Sequence, residues 1–312
     1  MSRIMIAISM LMLLATSCYR KDLLEPDHHH GEPVYVDIKV DVAVDEYIDE
    51  ENALVYEAIL ETARSITVVA YPLDETGVYG VHKINGLSGT IWLLPGRYDL
   101  LIYTSDFYDL DGTFYRGMDL LSQAEAYTNQ AKVRSKVKSY VISEPDPTFV
   151  HAYKGFVVTE GDNTLESGLD PISYRYWFHV DVEGLDYITS AYMEIDGMYT
   201  TAFMADGSHR EDEFASQKIE TTLHKDENKI KGEFFSFGPH QDDSVKNSMV
   251  LTFINGRTIK IQLEDISPEI KKLRKGGEII IKQKIVINVD DTGAGFDPVV
   301  KDWDDEEVVF PI

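Results

Sequence analysis

The chain has 312 residues and a formal net charge of −25, from 29 basic against 54 acidic side chains. A surface this acidic repels phosphate backbones and anionic headgroups, which excludes nucleic-acid binding. A hydrophobic fraction of 44%, with 18 tyrosines and 13 phenylalanines, excludes a disordered chain and, over this length, predicts two domains.

Residues 1–17 read as a secretory signal. Arg3 supplies the positive start, residues 4–14 are apolar except for Ser9, and Ala15, Thr16 and Ser17 lead into Cys18. That layout is an export signal, and its apolar run is too short to stay as a membrane span. The small-small-Cys ending has the form of a bacterial lipobox, cut between Ser17 and Cys18 with acyl chains of the palmitate type on the cysteine. Cys18 is the only cysteine in the chain, so no disulfide is available, and an exported lone thiol is otherwise a liability. Each buried acyl methylene contributes about 0.8 kcal/mol, so two or three chains make a durable anchor. Residues 18–33 follow as a polar, lipidated tether. Within it, His28, His29 and His30 are adjacent, lack preset geometry and have no carboxylate or cysteine at ligand spacing, so no metal is expected there.

From residue 34 to 44 the chain alternates, with Val34, Val36, Ile38, Val40, Val42 and Val44 on one face. This predicts a half-buried strand. Asp45 can cap a helix running to about Ala63, with Leu54, Val55, Ala58 and Ile59 as its apolar stripe. Residues 65–71 are β-branched and strand-like, ended by Pro72. Residues 90–94 and 97–104 predict a hairpin around a type II turn at Pro95-Gly96. A short helix is expected over 118–131, a strand over 135–142, an interruption at 144–147 (Glu-Pro-Asp-Pro) and a strand over 149–159. The polar, turn-rich stretch 161–171 marks the boundary between an N-terminal domain, 34–160, and a C-terminal one, 161–290.

The second half repeats the style. Strands are expected over 174–182, 188–195, 200–205 and 229–237, with a charged loop at 209–216. Asn255-Gly256, between runs 249–254 and 257–263, predicts a type I′ hairpin. A helical turn at 268–273 precedes a long strand over 278–289. Many short strands without a βαβ rhythm predict an all-β fold of two antiparallel β-sandwiches. Residues 291–312 form an acidic tail whose carboxylates lack the spacing of an EF-hand loop, so a solvated segment is expected and not a calcium site.

No Gly-x-Ser-x-Gly elbow, HExxH or P-loop is present, so no enzyme and no cofactor are expected. Paired carboxylates carry little information in a chain this acidic. Tyr187, Tyr192 and Tyr199 offer aromatic surface for a glycan or other ligand, and the packing of aromatics within strands is the competing meaning.

Several passages carry a family resemblance. They are Lys21-Asp22-Leu23 with the following histidines, residues 94–99 (Leu-Pro-Gly-Arg-Tyr-Asp), residues 144–149, residues 234–238, Asn255-Gly256, residues 266–268, the isoleucine-rich strand from Ile279, and residues 295–303. Together they resemble the fimbrillin-like lipoproteins of the Bacteroidales, a superfamily of two transthyretin-like β-sandwiches. The resemblance implies an outer-membrane location, on the periplasmic or the surface face, and a role in fimbrial assembly, anchoring or adhesion. The alternative is a surface glycan- or ligand-binding β-sandwich lipoprotein, with host or glycan ligands. It also implies contact with fimbrial subunits by strand addition, in which main-chain hydrogen bonds supply affinity and side-chain pockets supply register. In polymerising members an outer protease removes the first strand after a basic residue. Arg64, behind the first strand and its helix, is the residue here for such maturation.

Overall fold

The structure, a computed structural model, describes residues 32–43, 48, 50–105, 112–131, 141–241, 245–289, 296–302 and 307–308. Its first half runs β1 (Val34–Val42), α1 (Glu50–Glu61), β2 (Ser65–Pro72), β3 (Gly80–Asn85), β4 (Ser88–Leu93) and β5 (Gly96–Thr104). An excursion follows, with β6 (Thr113–Arg116), β7 (Glu125–Thr128), β8 (Gln130–Ala131) and β9 (Val141–Ile142), before β10 (Phe149–Val158) and β11 (Asn163–Pro171) return.

Seven of these strands form one sheet in the order β3-β2-β5-β10-β11-β1-β4. It folds over at β11, whose residues 163–169 pair with β1 while Asp170 and Pro171 pair with β10. Val36, Ile38, Val40 and Val42 point into the resulting core beside Val68, Leu100, Ile102 and Phe149, as the alternation of β1 requires. β2 along most of its length and β5 from Leu100 onward are rich in apolar residues because both of their faces are buried there. Val68, Leu100 and Ile102 face this core, while Val69, Tyr71, Leu101 and Tyr103 face outward into a separate cluster.

The second half comprises β12 (Tyr174–Glu183), β13 (Ile188–Tyr199), β14 (Thr201–Phe203), β15 (Phe214–His224), β16 (Lys229–Ser236), β17 (Asn247–Phe253) and β18 (Thr258–Gln262). It continues with α2 (Ser267–Ile270), β19 (Gly277–Val289), β20 (Phe296–Asp302) and β21 (Glu307–Val308). The main path of the second sheet is β18-β17-β13-β15-β16-β12-β19-β20-β21, with β9 added to β15. β15 turns this sheet over, pairing with β13 through Glu220 and with β16 from Thr221. The chain is therefore largely all-β, with two nearly closed sandwiches and little helix.

Several local expectations are corrected. Each sandwich contains a parallel pair, β1 with β11 and β12 with β19, so neither is purely antiparallel. The stretch 161–171 contains strand β11, not a linker. Leu165 and Leu169 supply its core contacts, and the Asn163 side chain closes the preceding turn by accepting from Thr159 N–H at 2.9 Å and donating to Gly161 O at 2.8 Å. β4 and β5 are not a hairpin. β4 pairs with β1 and β5 with β2 and β10, so Pro95-Gly96 is an arch between layers. Gly96 has φ of 159°, near extended and far from a type II corner. At the Asn255-Gly256 turn only Gly256 has positive φ, 80°, and its N–H bonds Phe253 O at 2.8 Å. This is a type I turn with a left-handed glycine, not type I′. The helix expected over 118–131 is replaced by a 3-10 turn at Leu121–Gln123 and by β7 and β8. Of the strand expected over 135–142, Val141 and Ile142 are seen, and the rest lies outside the described residues. In α1 the buried stripe is Asn52, Tyr56 and Leu60, whereas Leu54 is exposed. The Asp45 cap lies outside the described residues.

Candidate functional site

The resemblance places function at the first strand and at the junction behind it. β1 is an interior strand, antiparallel to β4 on one side and parallel to β11 on the other. Its four inward side chains, Val36, Ile38, Val40 and Val42, are at most 9% exposed. Each contributes about 1.5–3 kcal/mol by burial, so β1 cannot leave without opening the first core.

The helix that follows β1 ties it to the second sandwich. Tyr56 in α1 is fully buried and packs edge-on against Phe149, centroids 5.7 Å apart. Its hydroxyl accepts the Arg175 N–H at 2.9 Å and donates to Lys275 O at 3.2 Å, both in the second half. One turn earlier the Asn52 carbonyl oxygen accepts from Arg175 Nη1 at 3.4 Å. The Arg175 guanidinium forks onto Glu233, 2.7 Å from Nε and 3.0 Å from Nη2, and lies over the Trp177 ring at 4.5 Å. The segment from β1 to α1 therefore contacts both sandwiches.

Arg64 is exposed, but the peptide bond after it is held. Arg64 O accepts Gly86 N–H at 2.7 Å, and Ser65 O accepts Ser105 N–H at 3.0 Å. Ser65 is 1% exposed, and its hydroxyl bonds Ser105 O. The Arg64–Ser65 bond thus sits at the start of β2, already inside the sheet.

Sequence reasoning missed the excursion between β5 and β10. β7 pairs with β14, and β9 pairs in parallel with Ser216 and Gln217 of β15. Ile142 belongs to the second core. Glu125 of β7, 1% exposed, bonds the Nε atoms of Arg116 at 2.6 Å and Arg210 at 2.7 Å. Arg116 Nη2 also donates to both carboxylate oxygens of Glu213, at 3.2 and 2.9 Å. Burial works against the Glu125 charge, but the Arg210 and Arg116 hydrogen bonds outweigh it and hold the carboxyl below its usual range. Ala124 and Ala126 then fill the seam with Tyr71, Tyr103, Tyr199, Met204 and Phe237. The sequence around Glu125, Ser122-Gln123-Ala124-Glu125-Ala126-Tyr127-Thr128, carries no signal of this pairing.

The C-terminal hairpin docks on its own sandwich. β20 pairs with β19 from Phe296 opposite Val289 to Asp302 opposite Gln283. Phe296 stacks on Phe253 with centroids 5.2 Å apart and planes at 4°. β21 adds to β20, with Val308 opposite Val300. Trp303, Phe310 and Ile312 lie outside the described residues, as do Ser17, Cys18 and His28 to His30.

The three tyrosines do not form a row. Tyr199 is buried and stacks on His209 at 4.2 Å, Tyr192 carries Lys218 over its ring at 4.3 Å, and Tyr187 leans on Phe296 at 5.3 Å. Among the described residues, His224, Asp226 and Glu227 bring metal-type donor atoms within 4.8 Å of one another. Glu227 is already paired with Lys231 at 2.7 Å, and the group is largely exposed.

Comparison with known proteins follows from this geometry. A family model described as a domain of unknown function, DUF5119, matches residues 17–220. A Bacteroides ovatus protein named as a fimbrium anchoring subunit, Fim4B, is 24% identical over 230 residues, or 72% of this chain and 62% of that protein. The match thus spans under two thirds of that relative. A crystal structure from Bacteroides ovatus, described as an adhesin, superposes with a TM-score of 0.59 at 18% identity, covering 88% of this chain and 95% of that one. A second described adhesin, from Bacteroides thetaiotaomicron, gives 0.51 at 11% identity over 88% and 98%. These two likenesses establish a shared fold. With the matched family model covering most of the chain, this protein belongs to the DUF5119 family.

Proposed function

We propose that this protein is a non-enzymatic outer-membrane lipoprotein of adhesion and fimbrial assembly, held by acyl chains on Cys18, which keeps its first strand and serves as an anchoring component. The observation that carries the reading is β1, locked between β4 and β11 and tied through Tyr56 to the second sandwich. The relatives named for fimbrium anchoring and adhesion agree in kind. In this reading residues 18–33 serve as the tether between the acylated Cys18 and the first sandwich. A fimbrial subunit would engage by strand addition at the C-terminal edge of the second sheet, where β20 and β21 end the strand order. Edge strands present unpaired main-chain groups for that purpose.

Lipidation is tested by Cys18→Ser. The variant should lose acyl labelling and leave the membrane fraction; label that survives the substitution refutes the anchor. Retention of β1 is tested by limited trypsin digestion with N-terminal sequencing of the fragments. Cleavage of the Arg64–Ser65 bond requires local opening of β2, so it should be slow beside cuts in exposed loops. A fragment starting at Ser65 among the earliest products would instead assign Arg64 to maturation and this chain to the polymerising class.

A further inference from the structure

The outer surface of the first sandwich carries a feature that neither anchoring nor strand retention uses. Tyr35 of β1 and Trp92 of β4 stand directly opposite each other, 75% and 59% exposed. Both lie on the face away from the core, since their neighbours Val36, Ile91 and Leu93 point inward. The next outward pair is Asp37 and Thr90, joined by a hydrogen bond from the threonine hydroxyl at 2.7 Å. Beyond it, Lys39 of β1 lies 3.9 Å from Glu166 of β11, with Thr164 beside Asp37. Trp92 is braced: the His82 ring meets it edge-on at 5.9 Å and 77°. His82 is in turn seated against Gly80, where a Cβ would stand 2.7 Å from Nε2. We propose that this face of the β4-β1-β11 layer binds a neutral glycan, with Tyr35 and Trp92 stacking on sugar rings and Asp37 and Thr90 meeting sugar hydroxyls.

The mixture of groups selects that ligand. Aromatic rings offer apolar faces to the C–H faces of sugars, and neighbouring strands place two such rings about 4.8 Å apart at the backbone. Carboxylate and hydroxyl groups directly beside them suit a ligand dense in hydroxyls. A protein partner would want roughly 800 Å² with an apolar centre, and here the next outward pair on β1 and β4, Asp37 and Thr90, is polar. A lipid surface would also take Tyr and Trp at the headgroup level, but Asp37, Glu166 and a net charge of −25 oppose anionic headgroups and anionic glycans alike. A braced tryptophan loses little freedom on binding, which favours affinity.

The test is calorimetric titration of the purified full chain with mannohexaose, xylohexaose and cellohexaose. A heparin hexasaccharide and phosphatidylcholine/phosphatidylglycerol vesicles serve as comparison probes. At least one neutral hexasaccharide should bind, with affinity lowered at least tenfold by Trp92→Ala and severalfold by Tyr35→Ala and Asp37→Ala. Tyr187→Ala and Tyr192→Ala should leave it unchanged, and membrane retention through Cys18 should not respond to Trp92→Ala. Thermal melting of each variant shows that it is folded. The proposal is overturned if no neutral hexasaccharide binds, if binding ignores Trp92→Ala in a folded protein, if heparin is preferred, or if vesicle binding is what Trp92→Ala abolishes. None of these outcomes bears on the anchoring role, which is read from labelling and fractionation.

Discussion

Tyr56→Ala is expected to lower the unfolding free energy by about 3–5 kcal/mol, the range for removing a large buried aromatic side chain. The side chain is fully buried, packs on Phe149 and links α1 to the backbone at Arg175 and Lys275. Tyr56→Phe separates the two effects. It keeps the ring but removes the hydroxyl that accepts the Arg175 N–H, and a buried donor left without its acceptor costs about 1–3 kcal/mol. Guanidinium unfolding followed by fluorescence and circular dichroism measures both. Because Tyr56 joins the sandwiches, Tyr56→Ala should also separate a single transition into two, the sign of lost coupling. A variant that unfolds like the parent in one step would show that α1 does not hold the sandwiches together.

Glu125→Ala should cost about 3 kcal/mol, the lower end for breaking a buried ion pair. The lower end applies because Arg116 and Arg210 are each nearly half exposed and remain solvated once the carboxylate is gone. Glu125→Gln keeps the shape and isolates the charge. The folded carboxyl lies below its unfolded value of about 4.3, so its contribution is complete above that pH and is lost as pH falls through the depressed folded value. The melting-temperature gap between the parent and Glu125→Gln should therefore be widest at neutral pH and close on acidification through the depressed folded value. A gap that stays constant with pH would remove Glu125 as a charged staple of the excursion.

Strand existence was legible where the buried face is a long apolar alternation, and was missed at β11, where Asn163, Ser167 and Gly168 interrupt that pattern. The alternation of β1, β12 and β19 predicts each of them to within about two residues, because a half-buried strand writes its burial directly into a period of two. Partner choice was not legible. β4 and β5 carry the pattern of a hairpin, yet they pair in different layers, since periodicity states which side chains point inward and not which strand lies alongside. The 118–131 stretch failed for a related reason. Its alanines and leucines have helical propensity, but Ala124 and Ala126 are small because they fill the seam between sandwiches, and tertiary packing overrides propensity. The stripe of α1 was misplaced because its most buried positions include Asn52 and Tyr56, whose polar atoms bond the second sandwich.

What the sequence determined by itself is local and compositional: an all-β chain, the form of a lipobox at Cys18, an acidic surface hostile to polyanions, and short motifs sufficient to name the fimbrillin-like resemblance. Each follows from a property carried within a few residues, such as a period, a charge or a small-residue run. Tertiary structure alone decided that β1 is an interior strand, that β7 pairs with β14 and β9 with β15 of the second half, and that Arg64 precedes a bond already built into a sheet. It also set Tyr35 against Trp92, fifty-seven positions apart in sequence and directly opposed in register. The physical reason is the same in every case. Strand pairing and core filling depend on surfaces brought together over long sequence separations, and such contacts leave no periodic trace in either partner.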